Sequence, residues 1–254
     1  MAAEVFMIVK SRVFFTPTRG TRGLHVWLPD GYDETDERYP VMYMFDGHNL
    51  FYDSDATYGT CWGLREFLSG WEKQMIVVGL ECSHKGNSRL IEYCPYDFNN
   101  GATHGTGQET IRWMVDELKP MIDSTYRTWP HREATGIGGS SMGGLMALYG
   151  VCAENATFSK AACLSTAFGF CYGAMKNMVQ NARLDPDTRV YLGWGGREGW
   201  NAKGRAIMSN ENKAINDIVW KKGAMPYLFR QDYGGHCEAD WRRQVPLFMN
   251  WLWC

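Results

Sequence analysis

This sequence predicts an α/β domain with a mostly parallel central sheet and helices on both faces, on three observations. Short apolar runs of strand length alternate with segments whose apolar residues recur at helical spacing. A turn rich in glycine and serine, Gly139-Ser140-Ser141-Met142-Gly143, stands where one such strand passes into an apolar helix. The 254 residues contain no repeat, low-complexity tract or linker, so one domain spanning 1–254 is expected.

In chain order, residues 4–15 and 23–28 read as strands around the Thr16-Pro17-Thr18-Arg19-Gly20 turn, an antiparallel start. Residues 40–45 form a short, almost wholly apolar strand, as expected of one buried on both faces, and it ends in the turn Asp46-Gly47-His48-Asn49. Residues 62–68 are compatible with a helix, 75–80 with another buried strand, and 87–107 with a long loop. Over 108–126, Ile111, Met114, Val115, Leu118, Met121 and Ile122 fall on one helical face, while Pro120 predicts a kink or two consecutive short helices. Residues 132–137 are the strand before the serine turn and 145–152 belong to the helix after it. A strand at 160–165 follows, then an irregular stretch rich in Phe, Tyr and Met, read as a cap-like insertion around 167–188. The chain closes with a strand at 189–194, a helix at 205–222, a strand at 226–229 and a helix at 238–253.

The serine turn fits G-x-S-x-G, the nucleophile elbow, in which a cramped turn lifts one hydroxyl above the sheet. Small residues two before and two after Ser141 have a steric reason, because side chains there would strike the neighbouring strand or helix. A dinucleotide fingerprint counted from Gly136 fails, since Ser141 stands where its last glycine belongs, and a Walker lysine is missing. Ser141 is therefore the candidate nucleophile, and a serine hydroxyl needs a base within reach and an acid to orient that base. Of six histidines, His236 follows the last strand in Tyr233-Gly234-Gly235-His236, on the side of the sheet where open α/β sheets bind ligands. The acid should lie between them in the chain. Glu198 is preferred because it sits just after a buried strand on that same side; Asp232, four residues from His236, is the runner-up. Oxyanion donors are expected from the backbone N–H of Met142, at the start of the elbow helix, and from that of His48 in the turn after residues 40–45. Asp46 and Asn49 also suit side-chain capping of that turn.

Composition narrows the partners. The net charge is −2 and the pI about 6.3, with no block of like charges, so neither nucleic acid nor an anionic membrane is indicated, and a small molecule is. Eight irregularly spaced cysteines without a C-x-x-C pair, and a start that lacks a basic segment leading into a long apolar one, point to reduced thiols and a cytoplasmic location. No apolar run reaches membrane-spanning length. No cofactor or metal is expected; His84, two residues after Cys82, comes nearest to ligand spacing.

Residues 39–51, 118–128, the elbow, 158–165 and 234–241 together make the chain resemble the putative esterase family, α/β-hydrolases that include enterochelin and bacillibactin esterases, S-formylglutathione hydrolase and the feruloyl and acetylxylan esterases of carbohydrate esterase family 1. The resemblance implies an α/β-hydrolase fold and a serine esterase with the triad Ser141, Glu198 and His236. It departs from the family in His48, where Gln is expected after Asp-Gly, and in using Glu where many members use Asp. Some siderophore esterases of the group manage with Ser and His alone.

Eleven Trp, thirteen Tyr and twelve Phe suit either a heavy core or an aromatic-lined cleft. Trp62, Trp194, Trp200 and Trp241 lie in or beside the segments that should surround the triad, so they are candidate contacts for a sugar ring or an aryl group of a small ester. Arg89 and Arg197 are the cations available to an acidic substrate. Acyl transfer with the same triad and a non-catalytic binding module on this scaffold are the competing readings.

Overall fold

A computed structural model of the chain describes residues 7–199 and 201–254. Its elements in chain order are β1 (Met7–Phe15), β2 (Gly20–Leu28), β3 (Val41–Phe45), α1 (Leu64–Ser69), β4 (Ile76–Leu80), α2 (Ser88–Glu92), α3 (Gly107–Trp113), α4 (Lys119–Thr125), β5 (Thr135–Ser140), α5 (Met142–Ala153), β6 (Lys160–Leu164), α6 (Tyr172–Asn181), β7 (Arg189–Gly195), α7 (Ala202–Lys221), β8 (Met225–Gln231) and α8 (Glu238–Trp253). The eight strands form one sheet in the order β1-β2-β4-β3-β5-β6-β7-β8. β1 and β2 are an antiparallel hairpin, β2 meets β4 antiparallel, and every later neighbour pair is parallel. Residues 4–6, which the sequence assigns to the first strand, lie outside the described residues.

Strand periodicity divides the core between the two faces. Val41, Tyr43 and Phe45 of β3, with Ile76, Val78 and Leu80 of β4, join the cluster that includes Ile111, Leu145, Val179 and Ile215. Met42, Met44 and Val77 point the other way, into a cluster with Leu64 and Leu68 of α1 and Val245, Phe248 and Leu252 of α8. Helices α3 to α7 thus contribute to one layer, and α1 with α8 to the other. Full burial of such a side chain contributes about 1.5–3 kcal/mol relative to exposure. Two-sided burial is why β3 and β4 are continuous apolar runs, whereas β1, on the sheet edge, carries exposed Lys10 and Arg12.

Three segments differ from the sequence expectation, and a fourth, around Pro120, refines it. The expected loop 87–107 contains α2, whose Glu92 is 3 % exposed and pairs with Arg22 of β2, while its Arg89 reaches Asp46; these long-range ion pairs hold a helix of only five residues. Around Pro120 the expected pair of short helices is present as α3 and α4. Met114–Leu118 form a π-helical segment between α3 and α4, a wider turn that accommodates a proline without an N–H. The strand before the elbow begins and ends three residues later than expected, because Gly138 and Gly139 are strand residues paired with Ala162 and Cys163 of β6. A Cβ on Gly138 would sit 2.7 Å from the Met42 side chain, so glycine is what lets β5 lie flat there. Finally, the stretch expected to be irregular after residue 167 contains α6, which buries Met175 and Val179 beside α5 and α7. Among the described residues no helix is long and apolar enough to cross a membrane, and all eight cysteines are unpaired.

Candidate active site

Parallel strands deliver their loops to one edge of the sheet, and the C-terminal ends of β3, β5, β6, β7 and β8 carry every candidate catalytic group. Ser141 occupies the one-residue junction between β5 and α5 with φ 56° and ψ −119°, a conformation that a residue with a Cβ holds only when its surroundings enforce it. They do. The Ser141 N–H donates to Leu164 O at 2.9 Å, and its carbonyl accepts from Leu145 N–H and Ala167 N–H, both at 3.1 Å. A Cβ on Gly139 would stand 2.8 Å from the Gly143 carbonyl carbon, and one on Gly143 would stand 3.0 Å from Phe45 Cβ. Ser140, the last residue of β5, is 5 % exposed, whereas Ser141 is partly open to solvent.

His236 lies in the turn between β8 and α8, and its Nδ1 is 2.7 Å from Glu198 Oε2. The carboxylate accepts the Nδ1 proton, which leaves Nε2 as the ring's acceptor. Glu198 has a side chain only 1 % exposed, and its other oxygen, Oε1, accepts from Ser165 Oγ at 2.6 Å and from the Gly195 N–H at 2.5 Å. A buried carboxylate with three donors is a fixed one. Ser165 in turn accepts from Trp241 Nε1 at 2.8 Å, and the Trp241 indole stands edge-on to the His236 ring with centroids 5.1 Å apart. Asp232, the runner-up acid, has a side chain 72 % exposed and faces Arg230 at 3.5 Å.

Ser165 is the residue that the sequence does not single out. It follows the last residue of β6, is fully buried, and has φ 47°, so a second strained serine stands at the tip of the strand next to Ser141. Its only local signal is a polar residue ending an apolar strand on the catalytic side.

The two expected oxyanion donors have suitable backbone settings. Met142 is the first residue of α5, so its N–H has no acceptor within the helix. His48 is the middle residue of the single 3-10 turn Gly47–Asn49 after β3. That turn presses against β4 so closely that a Cβ on Gly47 would lie 2.4 Å from the Gly79 carbonyl. It is braced by Asp46, which accepts two hydrogen bonds from Arg89 at 2.8 and 2.7 Å, and by Asn49 Oδ1, which accepts the Thr57 N–H at 2.9 Å. The His48 ring turns away to Thr57 Oγ1 at 2.9 Å and to His84, 4.7 Å between centroids, and burial lowers its pKa, which favours the uncharged ring.

The tryptophans require a correction. Trp62, Trp194 and Trp241 are 2 %, 3 % and 5 % exposed, so their faces are not offered to a ligand. Trp62 packs against Trp241 and Phe248 beneath the site, where burying an indole is worth more than displaying it. Trp200 lies outside the described residues. Arg89 is committed to Asp46, while the Arg197 guanidinium stacks 5.3 Å from the ring of Tyr233, which is 80 % exposed beside the Gly-Gly-His turn. Among the described residues no group of three His, Cys, Asp or Glu side chains has an arrangement that could hold a metal ion.

The family model described as Putative esterase matches residues 17–249. The chain is 21 % identical over 211 residues to Uncharacterized protein YbbA of Bacillus subtilis (strain 168), covering 80 % of each. It is 29 % identical over 154 residues to Esterase Rv1288 of Mycobacterium tuberculosis (strain ATCC 25618 / H37Rv), a match that takes in 58 % of this chain and 31 % of that one. Its fold is similar to that of the enterochelin esterase from Shigella flexneri, with a TM-score of 0.77 at 16 % identity over 99 % of this chain and 59 % of that chain. With the family model spanning almost the whole chain and a strained serine at its elbow, this protein belongs to the putative esterase family and is an esterase.

Proposed function

We propose that the chain hydrolyses small carboxylic esters through a covalent acyl-enzyme, with Ser141 as nucleophile, His236 as base and acid, Glu198 orienting His236, and the N–H groups of Met142 and His48 receiving the oxyanion. The observation that carries this reading is the strained Ser141 junction on the same sheet edge as a histidine whose Nδ1 is held by a buried carboxylate. In the forward step the Ser141 Oγ–H proton passes to His236 Nε2 as Oγ bonds to the carbonyl carbon, and the carbonyl electron pair moves onto oxygen. The tetrahedral species collapses, the ester C–O bond breaks, and the Nε2 proton goes to the leaving alcohol. Water then attacks the acyl-serine by the same route and returns free Ser141.

The acyl, aryl or sugar portion would lie across an open cleft edge. With Trp62, Trp194 and Trp241 inside, exposed Tyr233 under Arg197 is the flat surface beside His236, and it favours an aryl or sugar ester of the feruloyl or acetyl type. A panel of p-nitrophenyl acetate, butyrate and octanoate with methyl ferulate tests the reading. Turnover of the acetate or the ferulate is expected, together with labelling of Ser141 alone by a fluorophosphonate. Labelling that maps to another serine would refute the assignment.

Ser165→Ala provides a separate test of the buried network. It removes one donor from Glu198 and leaves Trp241 Nε1 buried without its acceptor, a cost of about 1–3 kcal/mol. The melting temperature should fall by a few degrees and kcat by roughly tenfold with KM nearly unchanged, since the substrate does not touch this serine. Wild-type kcat in a destabilised Ser165→Ala enzyme would reduce Ser165 to a packing residue.

A further inference from the structure

At the opposite edge of the sheet, where the parallel strands begin, the structure contains a cavity of about 780 Å³ walled by Trp71, Trp129 and Trp253 and entered by Lys73, Lys160 and Arg189. The six residues of β5 separate that edge from the elbow, roughly 17–20 Å at strand rise. We infer that this cavity is a second binding site, distinct from the Ser141 cleft, for a flat aromatic carboxylate.

The charge arrangement is the first reason. Lys160 and Arg189 open β6 and β7 and are register partners, so two cations of like charge stand side by side on one face. Among the described residues, neither makes an ion pair with a side-chain carboxylate, and neither does Lys73. Neutral groups hold them instead: Lys160 Nζ donates to Glu133 O at 2.5 Å and to Ser159 Oγ at 2.9 Å, and Arg189 Nη1 donates to Trp251 O at 2.7 Å and Leu252 O at 3.3 Å. Lys73 Nζ donates to Trp253 O at 2.7 Å. The nearby Asp187 is engaged by Arg132 at 2.7 Å, and Glu37 and Glu133 are exposed. Burial, and then the Arg189 charge, pull the Lys160 pKa down to about 8, against the opposing pull of Asp187 and Glu133.

The walls are the second reason. The Trp253 ring lies 4.9 Å beneath Lys160 Nζ, and Trp129, 46 % exposed, is tilted at 31° to His131 with centroids 6.2 Å apart. Indole faces next to fixed cations select a ligand that is planar and apolar at one end and anionic at the other, and the volume suits a ligand of that size. A purely structural role accounts for part of this. Lys73 and Arg189 bond the last carbonyls of α8 and so offset its C-terminal dipole. That role leaves unexplained Lys160, which bonds none of those carbonyls, and the void between three indoles.

The test is calorimetric titration of trans-cinnamate into the full chain after Ser141 has been blocked with a fluorophosphonate, beside the same titration with neutral cinnamyl alcohol. One equivalent of cinnamate should bind with a dissociation constant on the order of 10–500 μM, and the alcohol at least tenfold more weakly. Lys160→Met should weaken cinnamate binding by about tenfold or more, as should Trp129→Ala, whose exposed side chain makes loss of folding a poor explanation; thermal melts check both. Absence of cinnamate binding up to roughly 5 mM would overturn the inference. Binding indifferent to both substitutions, or equal binding of acid and alcohol, would do the same.

Discussion

Ser141→Ala should lower ester turnover by on the order of 10⁴- to 10⁶-fold while leaving the fold intact. The hydroxyl is the group to which the acyl chain would bond, so its removal takes away the covalent route and leaves only binding and the oxyanion donors. Structure should survive, because what fixes this residue is its backbone: the N–H to Leu164, and the carbonyl to Leu145 and Ala167, use no side-chain atom. Alanine faces the same positive φ as serine, so the strain neither rises nor falls appreciably. Circular dichroism and the melting temperature should match the parent within a degree or two. Turnover near the parent level in a correctly folded Ser141→Ala protein would end the serine-esterase reading.

Glu198→Gln is expected to cost roughly 10²- to 10⁴-fold in kcat with little change in KM. Glutamine keeps the shape, but one end of its amide is now a donor. The Oε1 position receives two donors, Ser165 Oγ and the Gly195 N–H, and this favours placing the amide oxygen there. The amide NH₂ then faces His236 Nδ1, which must become the acceptor, and the ring proton moves to Nε2. A ring protonated at Nε2 cannot take the Ser141 proton. The charge that would stabilise the imidazolium is also gone. Asp232→Asn, at a side chain 72 % exposed, should change kcat by less than about twofold. If Asp232→Asn is crippled while Glu198→Gln works normally, the two acids exchange roles; if neither matters, the enzyme runs on Ser141 and His236 alone.

What is legible in this sequence follows from how far each feature depends on its own neighbourhood. β3 and β4 are readable because burial on both faces makes them unbroken apolar runs, and the elbow because its glycines answer to a steric demand within five residues. The position of Glu198 beside His236 is readable from two strand ends that topology must place together. Helix α2 is not, since its support comes from Arg22 and Asp46, 70 and 43 residues from their partners. Tryptophan at 62, 194 or 241 has the same local appearance in a cleft as in a core. Only the arrangement of α8 over β6 and β7 decides for the core.

The hydrogen bonds around Ser141 tie its peptide on both sides to the end of β6 and the residues just after it, through Leu164 O and through Ala167 N–H. An excursion that lifts residues 164–167 off β5 therefore releases the backbone of Ser141, the proposed nucleophile, at the same time, and no partly opened state that exposes this seam keeps the elbow conformation. The amide protons of Ser141 and Ala167 then share one opening event, and, with Ser141 as the proposed nucleophile, its free energy would set the fraction of molecules that are catalytically silent at any instant.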